Sequence, residues 1–208
     1  MNKGCLIGGG IFATIAAICV VFCIAIVGWG ISVNNKLFTL QKDVNLKWSM
    51  VESSYQRRAD LIPNLVAAVK KATNYEQETL TQVIEARAKA TSVQIDPTNL
   101  TPEKLAEFQN AQNGLGSALG RLLVSVERYP DLKANENILS FQNQLEGTEN
   151  RIKIDRDNYN QSATAYNTAI GLFPASLIAG LRNFQEKGLF KSDAGAQNAP
   201  NVDEILNK

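Results

Sequence analysis

The sequence predicts an all-α protein: an N-terminal transmembrane helix continuing into an elongated antiparallel four-helix bundle. Three observations predict it. No charged residue stands between Lys3 and Lys36. Beyond that run, apolar residues recur every three or four positions, the period of one helix face. Aromatic residues make up 7% of the chain and proline only 6 of its 208 residues, lean for a β-sandwich.

The first element is the anchor. Residues 5–33 are mostly Ile, Val, Ala, Gly, Cys and Phe. At about 1.5 Å per residue the run is long enough for a hydrocarbon core of about 30 Å. A secretory signal has an apolar region of about 7–15 residues, so this run reads as an uncleaved single-pass membrane anchor. Cys5 precedes the apolar run, which argues against a lipoprotein. Gly9, Ala13 and Ala17 repeat every four residues, a spacing that lets two membrane helices approach closely and form a homo-oligomer. Trp29 sits where an indole straddles the interface. The α-amine and Lys3 on one side face Lys36, Lys42 and Lys47 on the other, a slight lean towards a cytoplasmic bundle in the cell membrane.

The second element is a stalk. Leu37, Leu40, Val44, Val51 and Tyr55 continue the helical spacing with no glycine or proline after Gly30, so the membrane helix is expected to run on to about Ala59. A new helix is expected to open at 60–63, with Asp60 as cap and Pro63 in the first turn, where its missing N–H is harmless. Its stripe is Ile62, Leu65, Val66, Val69, Leu80 and Val83, fading near Ser92. In "TNLTPEKL", Thr101 is a good N-cap and Pro102 a good first residue for the third helix. Leu105, Phe108, Gln112, Leu115, Leu119, Leu122, Val126 and Tyr129 then step alternately by three and four, an a/d heptad of coiled-coil type with one polar member. Pro130 closes it. The last long helix carries Ile138, Phe141, Leu145, Thr148, Ile152, Asp155, Tyr159, Ala163, Tyr166, Ile170 and Phe173 until Pro174. A short amphipathic piece with Leu177, Ile178, Leu181 and Phe184 follows. The organisation is an anchor at 1–35, a helical bundle at 36–190 and a polar tail at 191–208.

Composition excludes much chemistry. Histidine is absent, and the three cysteines all lie within the first 23 residues. Most zinc sites, Cys-His pairs and Ser-His-Asp triads are thereby removed. A net charge of +1 gives no field for nucleic acid. No cofactor, metal or catalytic residue is indicated.

Charges nevertheless fall on the apolar stripes. Arg58 follows Tyr55 on the stalk, Glu76 and Arg87 share the stripe of Leu80 and Val83, and Asp155 lies on the last helix. An unpaired buried charge costs several kcal/mol, and arginine does not deprotonate. These four residues are expected to form a structural polar layer by pairing across helices. Arg58 or Arg87 would meet Glu76, Asp155 or a nearby acid such as Glu127 or Glu149. Paired carboxylates as catalysts or metal ligands are the weaker alternative, because a di-iron bundle needs Glu-x-x-His. Gly114, Gly116 and Gly120 inside the third helix suggest close approach of a neighbouring backbone; a phosphate loop would need a strand before it and Lys-Ser/Thr after it. Tyr159-Asn160 and Tyr166-Asn167 repeat at seven residues. They read as aromatic core packing, with a recognition surface for a peptide or sugar as the sharper alternative.

The segments "RRADLIPNLVAAVK", "TLTQVIEARAKA", "LGRLLVSVERYPDLKANENILSFQNQLEGTENRI" and "RDNYNQSATAYNTAIGLFP" together resemble the LemA family of bacterial membrane proteins. The likeness runs from the anchor to about Phe190. It implies one membrane helix, a long antiparallel helical domain, no established enzymatic activity and an association with membrane organisation, magnetosome formation included. Matching motif positions are Arg57, Arg58, Asp60, Pro63, Asn64, Arg87, Arg121, Glu127, Tyr129, Pro130, Lys133, Glu149, Arg156, Tyr159, Asn160, Tyr166, Asn167, Phe173 and Pro174. Where many members carry His-Glu, this chain has Tyr75-Glu76, so the resemblance brings no histidine-dependent role. The expected function is a non-enzymatic scaffold or adaptor acting through protein–protein interaction with a membrane or envelope protein. The alternative is a sensory component relaying envelope signals through the anchor-stalk helix.

Overall fold

The structure, a computed structural model, describes residues 3–72, 77–130 and 135–191, with side chains from Thr14 onward. Helix α1, Lys3–Ala72, is continuous over 70 residues, a length of about 105 Å. Helix α2 is Gln77–Ser92. After a 3₁₀ turn at Pro97–Asn99 come α3, Pro102–Glu127, and α4, Glu136–Gly171. A short α5, Ala175–Leu181, follows. Residues 182–191 then return along α4 without helix. Helices α1 and α4 lie antiparallel along each other, as the pairs Ser54–Asp155 and Arg58–Glu149 require. Helix α2 bridges α1 and α3.

From Thr14 to Trp29 every side chain of α1 is exposed, including Phe22 at 65% and Val21 at 67%. Apolar residues exposed all round a helix mark a bilayer span. This part of α1 is the single-pass membrane anchor. Cys19 and Cys23 are free thiols within it. Gly9 and Ala13 of the predicted small-residue stripe lie before Thr14, where only the backbone is described.

The stripes pack as two cores. A membrane-proximal core joins Leu37, Val44, Trp48, Val51 and Tyr55 of α1 to Phe108, Tyr159, Tyr166, Ala179 and Phe190. A distal core joins Ile62, Leu65 and Val69 of α1 to Leu80 and Val83 of α2, Leu115, Leu119, Leu122 and Val126 of α3, and Ile138 and Leu145 of α4. The third helix begins where expected: Thr101 caps it by accepting from the Lys104 N–H, and Pro102 fills the position where an N–H has no partner.

Three expectations are corrected. First, no helix opens at 60–63. Pro63 lies inside α1, which ends only at Ala72. Proline removes the bond its N–H would give to the carbonyl four residues back, here that of Ala59. Arg87 of α2 supplies the replacement, its Nε donating to that carbonyl at 2.8 Å. Asp60 caps nothing and instead accepts from Gln56 on the exposed face. Second, the α3 glycines mark no close backbone. A Cβ on Gly114 or Gly120 would meet nothing within 4 Å, and one on Gly116 would touch only the Arg58 guanidinium at 3.9 Å. Third, Phe173 is not on the α4 stripe. It follows the helix end and is 80% exposed.

Candidate functional site

Arg58 is the hub of the buried polar groups. It is 4% exposed and lies between the two cores. Its Nη1 donates to Glu149 Oε1 of α4 at 2.6 Å. Its Nη2 donates to the Gln112 carbonyl at 3.1 Å and to Gln112 Oε1 at 2.8 Å. Gln112, the polar member of the α3 heptad, donates in turn to the Ala90 carbonyl of α2. One guanidinium thus joins α1, α3 and α4 directly and α2 through an amide. Its plane lies over the Tyr55 ring at 5.0 Å, a favourable cation–π position.

Of the acids available, Arg58 therefore meets Glu149. Asp155, 2% exposed, accepts from Ser54 Oγ of α1 at 2.6 Å and from Arg151 one turn back at 3.1 Å. Arg87 serves the Ala59 carbonyl in place of a carboxylate. Glu76 lies outside the described residues, as do Tyr75 and Lys133. Arg57, Asp60, Pro63, Asn64, Arg121, Glu127, Pro130 and Pro174 are exposed. Tyr129 is half-buried against the distal core.

The two Tyr-Asn pairs of α4 divide their work by face. Tyr159 and Tyr166 are fully buried. Burial raises both phenols, Tyr166 to about 12, so they stay neutral packing groups. The asparagines grip a peptide, and the peptide is the chain's own. Asn167 donates to the Lys187 carbonyl and accepts from the Lys187 N–H, both at 2.8 Å. Asn160 does the same for Phe190 at 3.0 and 2.9 Å. Seven residues of helix advance about 10.5 Å and three of extended chain about 10 Å, so the heptad spacing fits an extended partner. Gln109 of α3 adds a third amide, donating to the Lys191 carbonyl at 2.7 Å. Arg156 donates to the same carbonyl and covers the Phe190 ring at 4.8 Å.

Two further residues lock this segment. Gly188 donates its N–H to the Leu100 carbonyl and accepts from the Tyr159 hydroxyl. A Cβ there would come within 2.8 Å of Pro102 Cα, so only glycine fits. Lys187 is 3% exposed, with Nζ donating to the Thr98 carbonyl at 2.7 Å. Burial lowers its ammonium, partly opposed by Asp96. Nothing in the sequence reading singled out Gly188 or Lys187. The signal was the Tyr-Asn repeat, whose amides needed a backbone to hold.

The clamped segment ends at an open groove of about 1180 Å³ between α3 and α4. Arg58, Glu149 and Arg156 line its polar side, and Leu119, Leu123 and Ile152 its apolar side. Gly116 and Gly120 widen it on the α3 wall.

The chain is similar to known proteins over most of its length. The LemA family model matches residues 47–203. Protein LemA of Metamycoplasma hominis is 26% identical over 158 residues, covering 76% of this chain and 68% of that protein. Magnetosome protein MamQ of Magnetospirillum gryphiswaldense is 27% identical over 173 residues, covering 75% of this chain and 64% of that protein. Magnetosome protein MamQ 1 of Paramagnetospirillum magneticum is 26% identical over 174 residues, with 76% and 64% covered. The chain spans about two thirds of the length of these relatives. The family model takes in most of the chain, including every residue of the Arg58 hub and of the peptide clamp, and the chain belongs to the LemA family.

Proposed function

We propose that the protein is a membrane-anchored scaffold whose groove between α3 and α4 receives an extended segment of another membrane or envelope protein. Family membership supports a non-enzymatic, membrane-associated role. Among the described residues no His, Cys, Asp and Glu side chains gather as a metal site. The relatives named magnetosome proteins are in keeping with a part in organising a membrane.

One observation carries the reading. Side-chain amides already hold an extended peptide at the groove mouth, where Lys191 lies beside Gln109 and Arg156. Amides that pair with both N–H and C=O of a residue imitate a neighbouring strand, the chemistry of peptide capture. The Arg58 hub would hold α3 and α4 at the spacing the groove needs. A photo-crosslinking residue at Leu123 in native membranes should give a discrete higher-mass adduct, and one at Lys70 should not. Identical patterns from the two positions would defeat the reading.

A second reading rests on the continuity of α1. One unbroken helix carries both the apolar span and Arg58, so a tilt of the anchor would move the hub. A sensor of this kind needs two populated arrangements. Cysteine crosslinks along α1 that change under envelope stress would favour it over a static scaffold.

A further inference from the structure

A second apolar surface stands beside the anchor. Leu172, Phe173, Leu177 and Leu181 are 61%, 80%, 58% and 83% exposed. They belong to α5 and the turn before it, and α5 is seated on α1. The Ile178 side chain faces Gly30, where an added Cβ would lie 3.7 Å from its Cδ1. Arg182 Nε donates to Asn34 Oδ1 at 3.2 Å. Between the two helices Val27, Gly30 and Ile31 share a cleft with Ile178 and Leu181. Leu181 is therefore level with the last turns of the apolar run, which ends before Lys36.

We propose that residues 172–181 are a second membrane contact. Leu172, Phe173, Leu177 and Leu181 enter the acyl region of a phospholipid bilayer next to the point where α1 leaves it.

Three observations fix lipid as the occupant. The patch is continuous with the surface of the membrane span, so a bilayer surrounding Val27 and Ile31 also meets Leu181. No charged residue occurs between Asp157 and Arg182, the longest such run after the anchor itself. That leaves the membrane-proximal end of α4 and all of α5 free of groups a bilayer would reject. Arg182 then stands at the end of α5 beside Asn34, where a long basic side chain reaches the headgroups. The bundle would thus rest its membrane-proximal core on the lipid surface, and the predicted free-standing stalk would be replaced by a seated base.

The test uses the full chain in phosphatidylcholine vesicles. Cys5, Cys19 and Cys23 are changed to serine, and single cysteines at Leu177, Leu181 or the α2 control Ile84 carry an environment-sensitive fluorophore. Helical circular dichroism equal to the parent's qualifies each labelled protein. Spin-labelled lipid should quench positions 177 and 181 several-fold more than position 84, and aqueous iodide should show the reverse order. Iodide quenching at 177 and 181 equal to that at 84 would overturn the proposal. Protection from both quenchers would also overturn it, because a second copy or a partner protein would then cover the face. A label at Phe173 gives the same readout should a cysteine in α5 perturb that helix.

Discussion

The two halves of the bundle solve the same packing problem differently. The distal core is aliphatic and built from four helices whose apolar stripes face one another. The membrane-proximal core is rich in aromatic rings, and besides α1, α3, α4 and the short α5 it is walled by non-helical chain at Ile95, Leu100 and Phe190. Trp48 sits at its centre, edge-on to Phe108 at 5.2 Å and Tyr159 at 5.7 Å and stacked on Phe190 at 6.1 Å. One wall of that core is the non-helical segment 184–191. Branched aliphatic residues on a helix need a complementary stripe, which another helix provides. Large rings fill space around an irregular wall, provided something else satisfies that wall's backbone. Here Asn160, Asn167 and Gln109 do so. The Arg58 hub lies between the two regimes and contacts both α3 and α4.

The comparison can be broken most severely at Trp48. Trp48→Ala should cost about 3–5 kcal/mol, and it should also release the Phe190 segment. Leu122→Ala in the distal core should cost a similar amount without loosening residues 182–191. Chemical denaturation combined with limited proteolysis at the C-terminal segment distinguishes the two.

Arg58→Ala attacks the boundary. Removing one partner of a fully buried pair costs about 3–5 kcal/mol. Glu149 is 52% exposed, so water takes over its charge and the loss should be nearer about 2 kcal/mol. Gln112 loses its partner in the same variant. The melting temperature should fall, and Lys70→Ala on the exposed face should leave it unchanged. An Arg58→Ala protein that melts like the parent would remove the hub from the account.

Gly188→Ala is similar in size but local to the proximal half. The added methyl meets the backbone of Thr101 and Pro102, and backbone does not give way as a side-chain end does. A loss of about 1–3 kcal/mol is expected from overpacking. The smallest effect has the opposite sign. Gly114→Ala in the distal half meets open space and should stabilise α3 by about 0.5–1 kcal/mol. A destabilised Gly114→Ala would show that α3 touches a neighbour there after all. Thermal melts of the two alanine variants side by side check both signs.

Much of this arrangement was legible in the sequence, because three-and-four spacing reports a buried face directly. The stripe of α3 from Leu105 to Val126 is buried at every predicted position. Trp48 was missed although it fills the gap between Val44 and Val51. Pro63 misled for a physical reason: a proline ends a helix unless another group takes the orphaned carbonyl, and Arg87 is distant in sequence. The α3 glycines misled because glycine in a helix signals either close approach or nothing to pack against, and the residue type is the same in both cases. The segment 182–191 has no period of its own. Its structure is imposed by side-chain amides on two other helices, so only the Tyr-Asn repeat hinted at it.

The central claim is that side-chain amides hold the C-terminal segment as a wall of the proximal core. Amide hydrogen exchange at Lys187 and Phe190 in the full chain tests it most directly, since these N–H groups donate to Asn167 and Asn160. Protection comparable to the middle of α4, lost at Phe190 in Asn160→Ala and at Lys187 in Asn167→Ala, is the predicted result. Exchange of both amides at the rate of an unstructured peptide in the parent protein would contradict it.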